Sequence, residues 1–486
     1  MALSTRRRFV QQTAFAAAAL CLRPNQAFAG LQEIPSAHEQ NEPPVDPAAI
    51  QALASKITGH VITPEVPDYQ TARLVFNRAF DRRPALIVRC AVPSDVARAL
   101  DFAQTKNLPL AVRSGGHSRA GLSACDGGVV IDLSAMNRVE VDAGKRVARA
   151  QSGALVRDMD RATQRFGLAT TMGGCPTVGI AGLTLGGGKG FLQAKYGTAS
   201  DNLISAQLVT VDGRQVDASE KSNPDLFWAI RGGGGNFGVV TALEYRLHPV
   251  SEVLAGNLTY SAGRIPELLG AFAKFTERAP DDVMFDGAVL QSEQGPRFLI
   301  MMMYFGEPGH GNALFKTWQA LKPLQDTVKV TSYLEAQETI NPYAPVAHFQ
   351  TNLVLPELSA ATVETIATAA KDGPPKTRVF IFPLFGSITR VGVSDTAYSL
   401  RQFGYELDIM GSWSAPAEKA AAVEWVKTLR DKLRPVARGA YVNQLGETSE
   451  ELVKMSYGPN YARLVEIKKK YDPKNVLRLN QNIKPN

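Results

Sequence analysis

The sequence predicts an α+β protein made of two successive regions, and three observations carry that prediction. From about Ala85 to Pro249, strand-like apolar runs alternate with amphipathic helical ones. From about Val250 to Arg438, longer strand-like runs alternate with helical stretches, the pattern of an antiparallel sheet with helices on one face. Glycine gathers in clusters too dense for an ordinary helix or strand. At 486 residues the chain is long enough for two or more domains.

The elements follow in order. Residues 1–29 contain STRRRF, then a short apolar run, then Ala27-Phe28-Ala29. The run is shorter than the roughly 18–20 residues that span a bilayer. It fits a cleaved export signal, and Arg6-Arg7-Arg8-Phe9 resembles a twin-arginine signal. The expected location is therefore periplasmic or secreted. That route carries folded proteins, which suggests a cofactor inserted beforehand. Residues 30–66 are polar and proline-bearing and read as a lead-in. ALIVRCAV is a strand, SDVARALDFAQTKN a helix from Ser94, and LPLAVRSGGH a strand ending at glycines. LVRDMDRATQRFG is an amphipathic helix stopped by Gly167, and ISAQLVTVDGR carries the hairpin signal Asp212-Gly213. VVTALEYRLHPV is a strand ending near Pro249. The spans 67–250 and 251–438 are the two domains, and 439–486 is a C-terminal segment with a helix, a DPKN turn and a tail.

The net charge of +7 includes the N-terminal arginines, and charge elsewhere is mixed. No basic stripe suits nucleic acid, and no other segment is apolar enough to span a membrane. Four cysteines occur: Cys21 in the signal, then Cys90, Cys125 and Cys175. Three in an exported chain leave at least one thiol outside any disulfide. Cys90 and Cys125 read as core, and nothing in their spacing demands a bond. No CxxC or HExxH motif indicates a metal.

Residues 173–190, GGCPTVGIAGLTLGGGKG, hold eight glycines in eighteen residues. Bare backbone N–H groups approaching a diphosphate are the usual reason for such density. RGGGGNFGVV at 231–240 and Ser114 to Gly116 repeat the theme. None fits GxGxxG opening a helix after a first strand, so the pattern argues against a Rossmann-type site. Together the clusters point to one large phosphate-bearing cofactor.

Five stretches then carry a family resemblance: RSGGHSRAG, CPTVGIAGLTLGGGKG, YGTASDNLISAQLVTVDG, DLFWAIRGGGGNFGVVT and YGPNYARLVEIKKKYDPKNVLRLNQNI. Their unbroken order over residues 67–486 resembles the berberine bridge enzyme-like group of FAD-linked oxidases. The resemblance implies a two-lobed FAD-binding domain of the PCMH type, a substrate domain over the isoalloxazine, and a C-terminal tail returning to the flavin domain. It implies FAD attached twice, through His117 to the flavin 8α carbon and through Cys175 to C6. Imidazole and thiolate are nucleophiles, and the flavin ring is electron-poor. The further cofactor contacts implied are Arg113, Ser114, Gly115, Gly116, Ser118, Gly121, Thr177, Val178, Gly179, Gly182, Gly187, Gly190, Tyr196, Gly197, Asp201, Asn202, Val239, Asn480 and Gln481.

Two departures from the family pattern stand out. Relatives often read CPTVGVGGH, whereas Ala181 and Leu183 stand in this chain, so the cavity is expected to be more apolar. Many relatives use the second tyrosine of an AYxNY motif as general base, but this chain has Gln444 there. An amide cannot act as a base, and Tyr441, three residues earlier, would face the other way on a strand. In FGYELDIMGSW, Glu406, Asp408 and Met410 share one face. Asp408 aligns with the carboxylate that acts as base in berberine bridge enzyme, and desolvation would tune it for that task. The alternative is that Glu406 and Asp408 form a solvated face.

The expected function is an exported FAD-dependent oxidoreductase. It would oxidise an alcohol, sugar or phenolic or alkaloid-like molecule by hydride transfer to flavin N5, and reduce dioxygen to hydrogen peroxide. An amine oxidase, a dehydrogenase or a non-catalytic flavin-binding protein on the same scaffold are the alternatives.

Overall fold

The structure, a computed structural model, describes residues 45–292, 294–339 and 344–485. The proposed export signal lies outside them. Three sheets form the frame. The first has four strands in the order His60–Ile62, Leu86–Arg89, Val129–Asp132, Leu110–Arg113. Its last three strands are parallel, and the helix Pro93–Thr105 crosses between two of them. The helix buries Val96, Ala99, Leu100 and Ala103 against Leu86, Val88 and Ile131. Part of the stretch read as a lead-in is thus structured, because the strand His60–Ile62 pairs antiparallel with Leu86–Arg89.

The second sheet is antiparallel, in the order Val139–Asp142, Val147–Gln151, Val239–Arg246, Leu203–Val209, Gln215–Ser219. The hairpin expected at Asp212-Gly213 joins its last two strands, and Gly213 has a φ of +83° that suits the turn. The helix Val156–Gln164 ends where expected, with Gly167 at φ +65°.

The third sheet is antiparallel and has eight strands. Its centre runs Gly295–Tyr304, Val283–Ser292, Thr377–Leu384, Gly404–Trp413, Ala347–Leu355. Alternation divides its two faces. Tyr405, Leu407 and Ile409 join Phe272, Ile366, Val426 and Leu429 in a core beneath the helices Ile265–Thr276, Ala360–Lys371 and Lys419–Leu433. The opposite face carries Glu406 and Asp408, and it borders the cavity described below.

The C-terminal helix Tyr461–Tyr471 packs Leu464 and Ile467 into the same core as Trp228, Phe237 and Tyr245. The tail then returns alongside the glycine-rich turn at 232–238. The Asn236 amide donates to the Gln481 carbonyl, and the Ile483 N–H donates to Asn236 Oδ1 at 3.1 Å. Cys90, Cys125 and Cys175 are free and buried. Burial pushes the Cys90 thiol far up and the Cys125 thiol up to about 12, so neither is a ready nucleophile. Among the described residues, no helix is long and apolar enough to cross a membrane.

Candidate active site

The strand Leu110–Arg113 delivers the chain into Ser114–His117, where Gly116 turns at φ +71°. Gly115 lies directly against Gly179 of the second glycine-rich segment, so close that a Cβ on either would collide with the other's backbone. That contact brings His117 and Cys175 to one place. His117 Nε2 lies 3.0 Å from Thr177 Oγ1, and Cys175 Sγ lies 3.4 Å from the same oxygen. The imidazole stacks on Phe76 with centroids 3.9 Å apart. Burial, helped by the nearby Arg119 charge, holds its pKa down at about 3, so the ring is neutral at physiological pH. Its Nδ1 is buried with no hydrogen-bond partner.

Both residues face a cavity of about 340 Å³. Of the positions expected to hold cofactor, Ser114, Gly115, Gly116, His117, Ser118, Cys175, Val178, Gly179, Gly182, Gly190, Val239, Asn480 and Gln481 line it. Its residues fit FAD. Gly182 and Gly235 are on the wall, and a Cβ on either would meet nothing within 4 Å, so bare backbone faces the space. Asn480 Oδ1 and Gln481 Oε1 are buried without partners, as is His117 Nδ1.

The other expected contacts lie off this wall. Arg113 bonds Asp132 at 3.0 Å behind the first turn. Thr177 sits between His117 and Cys175. Gly121 packs on Phe80, and Gly187 on Tyr398. Tyr196 stacks on His248, and Asp201 forms a two-pronged pair with Arg401 and bonds the Thr198 N–H beside Gly197. The Asn202 amide donates to the Tyr196 and Thr198 carbonyls. The segment 196–202 therefore braces the wall from behind, because its polar groups satisfy one another and Arg401.

The cavity also meets the third sheet. Lys189, Asp286, Phe382, Tyr441 and Gln444 line this side. Lys189 is ion-paired with Glu406, and its ammonium lies 4.9 Å from the Phe382 centroid and 5.0 Å from that of Tyr441. The Asn352 amide donates to both Glu406 and Asp408. Glu406 is 0% exposed and Asp408 4% exposed, which corrects the solvated-face alternative. Desolvation, reinforced by the neighbouring Glu406 charge, pushes the Asp408 carboxyl up to about 7. Asp408 itself lies just behind the wall.

The expectation that Tyr441 faces away is corrected too. Val442–Gln444 is a single 3₁₀ turn rather than a strand, so Tyr441 and Gln444 both reach the cavity. The Tyr441 hydroxyl accepts from the Gly188 N–H and the Asn443 amide, at 3.0 Å each. Burial holds its phenol protonated. Gln444 Oε1 accepts from Arg119 and Gln350, at 3.1 and 3.0 Å. Leu183, as expected from its apolar substitution, is on the wall with Ala181.

Comparison with known proteins agrees with this cavity. Residues 84–219 match an FAD binding domain, and residues 440–484 match the berberine and berberine-like segment. The chain is 30% identical to an uncharacterized FAD-linked oxidoreductase, YgaK, of Bacillus subtilis, over 89% of this chain and 98% of the relative. The chain belongs to the berberine bridge enzyme-like FAD-linked oxidoreductases. It is also 31% identical to the (R)-6-hydroxynicotine oxidase of Paenarthrobacter nicotinovorans, covering 89% of this chain and 98% of that one. Among solved structures, 6-hydroxy-D-nicotine oxidase from Arthrobacter nicotinovorans superposes with a TM-score of 0.81 at 29% identity, covering 88% and 98% of the two chains. BBE-like 1 of Physcomitrella patens shares the fold with a TM-score of 0.83 at 24% identity, covering 90% and 99%.

In this berberine bridge enzyme-like oxidoreductase, sequence reasoning passed over three polar residues at or beside the cavity: Lys189, Asp286 and Asn352. Each carried a signal. Lys189 is a lone cation inside GGGKG, and Asp286 and Asn352 are polar residues inside apolar strand runs, VMFDGAVL and TNLVL.

Proposed function

We propose that the chain is an exported oxidase that holds FAD through His117 and Cys175 and oxidises a small molecule presented from the third sheet. The observation that carries this reading is the meeting of His117 and Cys175 on one hydroxyl, Thr177, at the wall of a single cavity. A neutral imidazole with a free nitrogen is chemically competent for attachment. FAD, when bound, supplies the hydride acceptor and passes electrons to dioxygen, giving hydrogen peroxide.

The chain's own residues supply binding and proton handling. Asp408 is the candidate that takes the substrate's proton, since its carboxyl is desolvated and poised near neutrality. Asn352 fixes it beside Glu406, and Lys189 balances that buried charge at the wall. Gln444, locked by Arg119 and Gln350, positions the substrate by hydrogen bonding rather than accepting its proton. The expected substrate is an alcohol, sugar, or phenolic or alkaloid-like molecule. Amine oxidation is the second reading, favoured by the carboxylates Asp286, Glu406 and Asp408 at this side of the cavity. Location in the periplasm or outside the cell rests on the N-terminal signal pattern.

Acid precipitation of the purified protein tests the attachment. Yellow colour stays in the pellet of the unmodified chain and of His117→Ala or Cys175→Ala alone, and leaves the pellet of the double variant. Complete release from the unmodified chain overturns the covalent reading. Peroxide release with a panel of sugars, alcohols and amines tests the reaction class.

A further inference from the structure

Asp286 is the one carboxylate among the described residues that lines the cavity holding His117 and Cys175. It stands on the strand Val283–Ser292 and is only 8% exposed. Among the described residues no side chain donates a hydrogen bond to it, and no cation lies within ion-pair distance. Lys189, which faces it, is already paired with Glu406 on the strand Gly404–Trp413. Arg119, the other cation on this wall, donates to Gln444. Asp408 shares Asn352 with Glu406 and leaves the excess of negative charge uncorrected. Three buried carboxylates thus meet a single lysine ion pair, and the carboxylate without a partner is the one open to the cavity. Phe382 lies beside it on the neighbouring strand Thr377–Leu384 and also lines the space.

A buried carboxylate is costly without a cationic or hydrogen-bonding partner. We propose that Asp286 is the specificity-determining residue of this cavity and receives a substrate that carries a protonated amine nitrogen. The proposal rests on the oxidoreductase reading above and narrows its substrate class to cationic amines. The amine N–H⁺ donates to the Asp286 carboxylate, and aromatic and apolar walls take the rest of the molecule. Where Asp286 is protonated beforehand, its proton leaves to solvent as the ammonium arrives, so charge and atoms balance. Desolvation and the Glu406 charge raise the Asp286 carboxyl to about 7, against the pull of Lys189. Preference for a cation therefore grows as pH rises through neutrality.

The test uses the flavin-loaded protein and two matched probes, N-methylbenzylamine, protonated at pH 8, and its neutral isostere benzyl methyl ether. Binding is followed by calorimetry and by perturbation of the flavin spectrum. The amine binds at least about tenfold more tightly at pH 8, as expected for a charge-assisted hydrogen bond. The preference shrinks at pH 6, disappears in Asp286→Asn and persists in Asp286→Glu. Equal affinities in the unmodified protein, binding of neither probe, or an unchanged preference in Asp286→Asn overturns the proposal. Calorimetry reads the preference whether or not the flavin is covalent or the protein turns over, so failure of the oxidase reading is seen separately in the acid-precipitation and peroxide assays.

Discussion

A histidine whose imidazole is neutral at any physiological pH, with one nitrogen bonded and the other free, is the clearest chemical feature of the chain. His117 owes that state to burial, with Arg119 adding repulsion against a second proton. Asp408 owes its raised carboxyl to the same desolvation acting on the opposite charge type. A base must be ionised to work, so if Asp408 acts in the role proposed above, kcat/KM with a productive substrate falls as pH drops below about 7. Asp408→Asn lowers kcat by about 10²-fold or more and flattens that acidic limb, both read from peroxide release across a pH series. Unchanged turnover in that variant removes Asp408 from the proton-accepting role.

Two contacts between elements hold the site together. Gly115 and Gly179 touch backbone to backbone, so Gly115→Ala forces the two cofactor-bearing turns apart. That variant folds with reduced flavin content, measured by the ratio of flavin to protein absorbance, and its unfolding free energy falls by an amount typical of overpacking, about 1–3 kcal/mol, read from denaturant unfolding. The C-terminal helix ends in the fully buried pair Lys468–Asp472 at 2.7 Å. Lys468 also donates to the carbonyls of Asn236 and Leu477, and so ties the tail that carries Asn480 and Gln481 to the glycine-rich turn. Lys468→Met leaves Asp472 buried without its cation and costs about 3–5 kcal/mol, measured by denaturant unfolding. At this scale, the turn at Val442–Gln444 was invisible to a strand-based reading, because only packing against Asn352 and Gly188 shows the chain bending there.

Across the whole molecule, buried groups of both charge types set how stability depends on pH. Asp160, Asp286 and Asp408 have carboxyls raised to about 7, mainly by desolvation. The folded state then binds more protons than the unfolded one, so their contribution is full below the ordinary carboxylate range and is lost as pH rises to about 7. His117, His248 and His348 are lowered by burial and act oppositely, costing stability as pH falls below about 6.5. Asp160, held by the Gln337 amide away from the cavity, isolates the first effect. Asp160→Asn becomes more stable relative to the unmodified chain on going from pH 5 to pH 8, by about 1–3 kcal/mol, read from paired melting curves. The order of strands and helices, the hairpin at Asp212-Gly213 and the faces of the strand Gly404–Trp413 were legible in the chain itself, while His117 and Cys175 became candidates through the family resemblance of their motifs. Periodicity, turn chemistry and long glycine motifs are local signals that survive in one dimension. Which polar groups lie at the cavity, and which of them go without a partner, depended on strands brought together from distant parts of the sequence. Asp286, Lys189, Glu406 and Asn352 come from four separate segments, and the cost of burying charge is decided only by what surrounds it in three dimensions.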